Sequence, residues 1–220
     1  MEIENLKTIE TEIKARLKKV INISWDIFLN HYINKKYSIL LEAPFQLHFS
    51  QILENVGKLY CLKREEHFFV DLEVKEDEIG KKKYYIDIVC GIIKGDEEYK
   101  VALELKFKTL QQGAEDSGVM EFYKDIYSLE KIKRDKDYLF GVFLVITNDH
   151  LYIKKSKKGP RTIFETYNGA SIIPDKEYEC LDTKTGENFN KQYGSFKFRK
   201  QYKFIWNKYQ DNYFLKLYIE

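Results

Sequence analysis

Two short runs constrain the fold of this chain more than anything else in it. They are Tyr84-Tyr85-Ile86-Asp87-Ile88-Val89-Cys90 and Val101-Ala102-Leu103-Glu104-Leu105-Lys106-Phe107. Both are rich in β-branched and aromatic residues, and Lys94-Gly95-Asp96-Glu97-Glu98 separates them. That pattern predicts a β-hairpin. Reflecting positions about a turn near Asp96 sets Asp87 opposite Leu105, to within one residue, and so beside Glu104 and Lys106. Strand side chains alternate, so Glu104 and Lys106 share a face with Ala102, while Val101, Leu103, Leu105 and Phe107 take the other. A slip of one residue inverts a strand, so the face of Asp87 stays open at this point.

Asp, Glu and Lys inside apolar strands demand an explanation, because unpaired charge is costly to bury. Such groups pair with one another, bind metal or reach solvent. Two converging carboxylates with an ammonium nearby suit a hard divalent cation and a water-positioning group. The plainer alternative is a cross-strand salt bridge between Lys106 and either carboxylate.

An Asp, a loop and then Glu-x-Lys in an apolar strand resembles the catalytic signature of the PD-(D/E)XK nuclease superfamily. The match runs through Ile86-Asp87-Ile88 and Leu103-Glu104-Leu105-Lys106-Phe107, with Ile86 standing where the nominal motif has Pro. The resemblance covers about residues 43 to 150. It implies an α/β fold: a mixed central β-sheet flanked by helices, with a restriction-endonuclease-like αβββαβ core. An N-terminal helical region (1–40) and a basic, aromatic, β-rich C-terminal extension (151–220) would complete a single domain over residues 1–220. It also implies Mg²⁺, with Mn²⁺ as a substitute, ligated by Asp87, Glu104 and the main-chain carbonyl of Leu105. Lys106 would position or help deprotonate the attacking water and offset charge on the phosphate. Several families in this superfamily carry a glutamate on the preceding helix after Phe. Here the match is Phe45-Gln46, so Gln46 is the positional candidate, with Glu42 and Glu54 as alternative carboxylates.

At 220 residues the chain is long enough for one domain with its own core. The net charge is only +2, so a nucleic-acid partner requires a local patch. Cys61, Cys90 and Cys180 are odd in number and widely spaced, which fits a reducing, cytoplasmic setting and no structural zinc. The N-terminus is charged and helical in pattern, unlike a signal peptide, and the longest apolar run, Tyr138 to Thr147, is too short to span a bilayer as a helix. No glycine-rich nucleotide loop is present, and His48, His67 and His150 lack ligand spacing.

Along the chain, Ile3, Leu6, Ile9, Ile13, Leu17, Val20 and Ile21 predict a helix over residues 2 to about 34, with Ser24, Asn30 and Asn34 allowing a break into two. A second helix is expected from Pro44 to about Leu62, with Glu42 just before it and Phe45, Phe49, Ile52, Leu53, Val56 and Leu59 as its buried stripe. Gly57 weakens it. Phe68 to Val74 alternates as a first strand, with Asp71 and Glu73 toward solvent. After the hairpin, Ser117 is expected to cap a helix running to about Arg134, and Tyr138 to Thr147 to form a strand buried on both faces.

The last third is basic. Lys154, Lys155, Lys157, Lys158 and Arg161 surround Gly159-Pro160, and Asn188 to Gln210 carries six Lys or Arg and no acid, interleaved with Phe196, Phe198, Tyr202, Phe204 and Trp206. Lys154, Lys155, Lys197, Arg199 and Lys203 are candidates for a phosphate track. The aromatics are expected to point inward from amphipathic strands. Together these features predict an Mg²⁺-dependent DNA endonuclease of restriction type, acting as a homodimer on DNA, with no membrane and no nucleotide cofactor. The alternatives are a catalytically silent nucleic-acid-binding protein on the same fold, or a structural or interaction domain.

Overall fold

Apolar residues at three- and four-residue spacing build α1 (Glu2–Ile33), which buries Ile13, Leu17, Val20, Trp25 and Phe28. It runs unbroken. Asn30 turns its side-chain amide back onto the Asp26 carbonyl and stays within the helix, while Asn34, one residue past its end, donates to the Asn30 carbonyl. The computed structural model describes residues 2–79 and 82–220, with side chains described over 8–76 and 83–220; Ile3 and Leu6 of the expected stripe fall outside those side chains. α2 (Glu42–Leu59) packs on α1 through Phe45 and Phe49, whose rings meet Trp25 and Phe28. Glu42 is therefore the first residue of this helix and does not precede it. Leu59, expected in the buried stripe, is 78% exposed at the frayed end. Gly57 is there for closeness: a Cβ would come within 2.3 Å of the Phe68 ring, so only hydrogen lets the helix lie this near the sheet.

Three consecutive antiparallel strands follow: β1 (Glu66–Ile79), β2 (Lys82–Lys94) and β3 (Glu97–Lys108). α3 (Glu115–Asp135) crosses to β4 (Tyr138–Thr147), which pairs parallel with β3. Ser117 does not cap α3. The helix starts three residues earlier, after Ala114, and the Ser117 hydroxyl donates back to the Ala114 carbonyl at 2.9 Å.

Beyond β4 the chain is mostly loops and short pairs: β5 (Ser171–Ile172), β6 (Glu177–Tyr178), then α4 (Lys184–Tyr193), β7 (Phe196–Lys197) and β8 (Tyr202–Lys203). The extension expected to be β-rich thus contains a ten-residue helix, started by the Thr183 hydroxyl accepting from the Gly186 N–H. Phe196, Phe198, Tyr202, Phe204 and Trp206 are all buried, while Lys197, Arg199 and Lys203 face outward. β9 (Asn207–Tyr209) and β10 (Asn212–Ile219) then return to the main sheet, with β10 antiparallel to β4.

The result is a mixed α/β architecture: a six-stranded sheet in the order β1-β2-β3-β4-β10-β9 between two apolar layers. One layer joins α1 and α2 to Ile88, Leu103, Leu105, Leu144 and Ile146. The other joins α3 and the C-terminal segment to Ile86, Val89, Ala102, Phe143 and Val145. Among the described residues no helix is long and apolar enough to cross a membrane.

Candidate active site

The hairpin register decides which side chains meet. The β2–β3 ladder ends with Ile88 beside Leu103, so Asp87 and Glu104 are the next residue on each strand. Ala102 belongs to the α3 side of the sheet, so Glu104 and Lys106 turn toward α3, where Lys106 reaches Asp125. Ile86 and Val89 pack on that same side and Ile88 on the other, so β2 does not alternate regularly through Asp87.

Leu105 ties the cluster together through its own peptide groups. Its N–H donates to Asp87 Oδ2 at 2.6 Å, and its carbonyl accepts from Lys106 Nζ at 3.0 Å. Glu104 is buried, and the Tyr84 hydroxyl donates to its Oε1. Lys106 is also held between two carboxylates, with Nζ 3.3 Å from Glu42 Oε1 and 3.2 Å from Asp125 Oδ2. The other oxygen of Glu42 accepts from the Phe107 N–H at 3.2 Å, which fixes the start of α2 to β3. Asp125 is fully buried on α3, with Lys124 Nζ 2.8 Å from its Oδ1.

Electrostatics follow from that geometry. Burial pushes the Asp87 carboxyl up to about 6, against the opposing pull of Lys106 and the Leu105 N–H. Burial, then the charges of Asp87 and Asp125, holds Glu104 well above the ordinary carboxylate range. For Lys106 burial works against the charge, but Asp125, Glu42, Asp87 and Glu104 outweigh it and keep the ammonium form. Asp125 resists its own burial because Lys106 and Lys124 flank it, and its carboxyl is lowered. Four carboxyl groups thus face two ammoniums, and two of the four, Asp87 and Glu104, are raised.

Would a divalent cation fit? Among the described residues no three acidic, His or Cys side chains form a metal-holding group by themselves. The donor set is instead two carboxylates, Asp87 and Glu104, with the Leu105 carbonyl between them in sequence. All are hard oxygens, a set suited to Mg²⁺ or Mn²⁺. Two neighbouring carboxyls raised by burial are the chemistry a cation relieves.

The remaining candidates separate. Gln46 lies at the cluster's edge, its amide donating to the Asp87 carbonyl at 2.6 Å and to Glu73 Oε1 at 3.0 Å. It orients the Asp87 main chain. Glu73 holds a left-handed backbone (φ 52°) between the Leu72–Ile88 and Val74–Ile86 pairs, so a non-glycine residue sits strained next to Asp87. Glu54 pairs with Lys58 on the solvent side and does not join the cluster. Lys154 and Lys155 follow β4 at the sheet end where Lys108 pairs with Thr147. Lys155 stands 3.7 Å from Glu165, and Lys197 stands 4.0 Å from Asp175, whereas Lys154, Arg199 and Lys203 are exposed. Asp125 and Tyr84 were missed on sequence. A signal for Asp125 existed: it interrupts the buried stripe Phe122, Ile126 and Leu129 with a charge. No protein-family model matches this chain, and neither the curated proteins nor the solved structures contain a match to it.

Proposed function

We propose that this protein is a metal-dependent DNA endonuclease, of restriction type, hydrolysing phosphodiester bonds at the Asp87, Glu104 and Lys106 cluster. One observation supports this: Asp87 and Lys106 meet on the peptide groups of Leu105, next to Glu104, with both carboxyls raised and the lysine held as ammonium. The likeness of this constellation to PD-(D/E)XK nucleases supports it. Mg²⁺, or Mn²⁺ in its place, would be held by Asp87, Glu104 and the Leu105 carbonyl, and would polarise the phosphoryl oxygen and acidify a bound water.

The chain's own residues carry the rest. Lys106 Nζ, kept as ammonium by the acids around it, orients the attacking water and offsets charge that builds on the phosphate. As an ammonium it holds no free pair to accept a proton, so its work is electrostatic. Glu42 and Asp125 hold Nζ from two sides, which limits the rotamers of a long, flexible side chain. Gln46 keeps the Asp87 main chain in place. Lys154, Lys155, Lys197, Arg199 and Lys203 are the proposed contacts to the DNA backbone, and a two-fold homodimer would let both strands be cut. The free cysteines Cys61, Cys90 and Cys180 support a reducing cytoplasmic setting.

The test is cleavage of plasmid and genomic DNA with Mg²⁺ or Mn²⁺. We expect metal-dependent fragments from the wild type, and a loss of at least about 10²-fold in both Lys106→Ala and Asp87→Ala. Discrete bands would mark the restriction type. A wild type that cuts no DNA under either metal, or variants that cut as well as it does, would overturn the proposal.

A further inference from the structure

A cavity of about 430 Å³ is walled by the end of α1 with the chain leading to α2, and by the turn between β9 and β10. Its volume is in the range of small-molecule sites. The first wall brings Tyr32, Lys35 and Ser38, and the second Tyr209, Gln210 and Asn212. These are aromatic faces and amide edges with one cation. Tyr209 is 48% exposed, an aromatic ring offered to solvent. Tyr32 is seated edge-on against Phe107 and Phe214, and its hydroxyl donates to Asn212 Oδ1 at 3.2 Å. That bond uses the Asn212 oxygen and leaves its amide hydrogens to donate elsewhere.

Two backbone positions sharpen the case. Lys35 (φ 54°) and Gln210 (φ 51°) both adopt the left-handed conformation, and both line this cavity. Lys35 ends α1 where glycine ordinarily stands, with its N–H on the Tyr32 carbonyl and the Lys36 N–H on that of His31. Gln210 stands in the two-residue turn between Tyr209 and Asn212, another glycine position. Long polar side chains occupy both sites against the local backbone preference. The Tyr32 wall of the cavity rests on Phe107, the residue after Lys106.

We propose that this cavity receives one unstacked nucleobase of the substrate strand. Tyr209 lies against the ring face, the amides of Gln210 and Asn212 meet its edge, and Lys35 faces the adjoining phosphate. This rests on the nuclease proposal above, and the experiment separates the two. The probe is a short single-stranded DNA carrying 2-aminopurine at successive positions, titrated without divalent metal and followed by fluorescence. Tyr209→Ala, Lys35→Gly and Gln210→Gly are compared with the wild type. The glycine variants relieve the backbone, so their Tm should hold or rise, and weaker binding is then not unfolding. We expect quenching at one position, and affinity at least about fivefold lower in Tyr209→Ala, with a smaller loss in the glycine variants. Variants that bind and quench as the wild type does would overturn the cavity proposal, whatever the cleavage assay with Lys106→Ala gives. A wild type that neither binds nor cuts nucleic acid would remove both.

Discussion

Asp125 governs the charge and position of Lys106. It is fully buried, with Lys106 Nζ at 3.2 Å on one oxygen and Lys124 Nζ at 2.8 Å on the other. Asp125→Asn keeps the shape and removes the charge. We expect kcat to fall on the order of 10-fold to 100-fold while Mg²⁺ affinity changes little, because Asp125 acts through the lysine. The pH–rate profile should also change, since Lys106 loses the largest of the charges that hold its proton. An unchanged profile with lowered Tm alone would make Asp125 a purely structural partner. Asp87, Glu104 and Lys106 could be brought together from sequence because a short turn sets their two strands side by side. Asp125 could not, since its contact with Lys106 depends on how the crossover helix α3 lies on the sheet. Gln46 was readable as a position but not as a partner: its bond to the Asp87 carbonyl needs the tilt of α2.

At the scale of elements, the buried pair of Arg16 and Glu66 fastens α1 to the start of β1. The guanidinium grips both carboxylate oxygens, at 2.7 and 2.8 Å, and the N–H groups of Leu62 and Lys63 donate to the same carboxylate. The Arg16 hydrogen bonds, helped by those two N–H groups, lower the Glu66 carboxyl to about 2 despite its burial. A lowered carboxyl stabilises the fold above its unfolded value and ceases to do so as pH falls through the folded one. Wild-type stability should therefore decline below about pH 4.5 toward pH 2, partly through this group. Arg16→Ala strands the carboxylate and should lower stability by about 3 kcal/mol at pH 7, read by urea unfolding. A smaller loss than about 1 kcal/mol would place the pair among weak surface ion pairs.

The same scale explains which elements the sequence disclosed. α1, α2, β1 to β4 and α3 carry strong periods and were all legible, to within a few residues at their ends. α4 was not, because Phe189 is its only large buried side chain and no apolar period marks it. β10 passed unread although its residues alternate, and it completes the sheet against β4. Its partner lies some 70 residues earlier, as in Leu215 beside Val145, and long-range pairing leaves no local trace.

In the whole molecule, α3 is enclosed. The sheet covers one side of it, and Tyr178, Phe198 and Phe204 pack on Tyr123 from the C-terminal segment. The carboxylate of Glu130 accepts from the N–H groups of Arg199 and Lys200 and from the Tyr202 hydroxyl, which secures that segment to the helix. The aromatics of residues 196–206 are thereby used for packing, and only the outward lysines and arginine remain for a partner. That enclosure also explains how so much charge stays together: Asp125 and Lys106 sit between sheet and helix, where water screens little. The fold holds four carboxyl groups and two ammoniums there, with Asp87 and Glu104 raised by burial.

The most direct measurement is the thermal stability of wild type and Asp87→Asn at about pH 7.5, with and without Mg²⁺. Burial raises the Asp87 carboxyl from 3.8 to about 6, so its ionised form burdens the folded state, and that burden grows as pH rises between those values. A cation site predicts that metal-free Asp87→Asn is the more stable protein, by up to about 3 kcal/mol, with the gain vanishing below about pH 4. It also predicts that Mg²⁺ raises the wild-type Tm, by about 2.7 kcal/mol of stability at a hundredfold excess over Kd, and leaves the variant unmoved. A variant less stable than wild type, together with no response to Mg²⁺ or Mn²⁺ in either protein, would contradict the metal site and leave Asp87 as a structural acceptor for the Leu105 N–H.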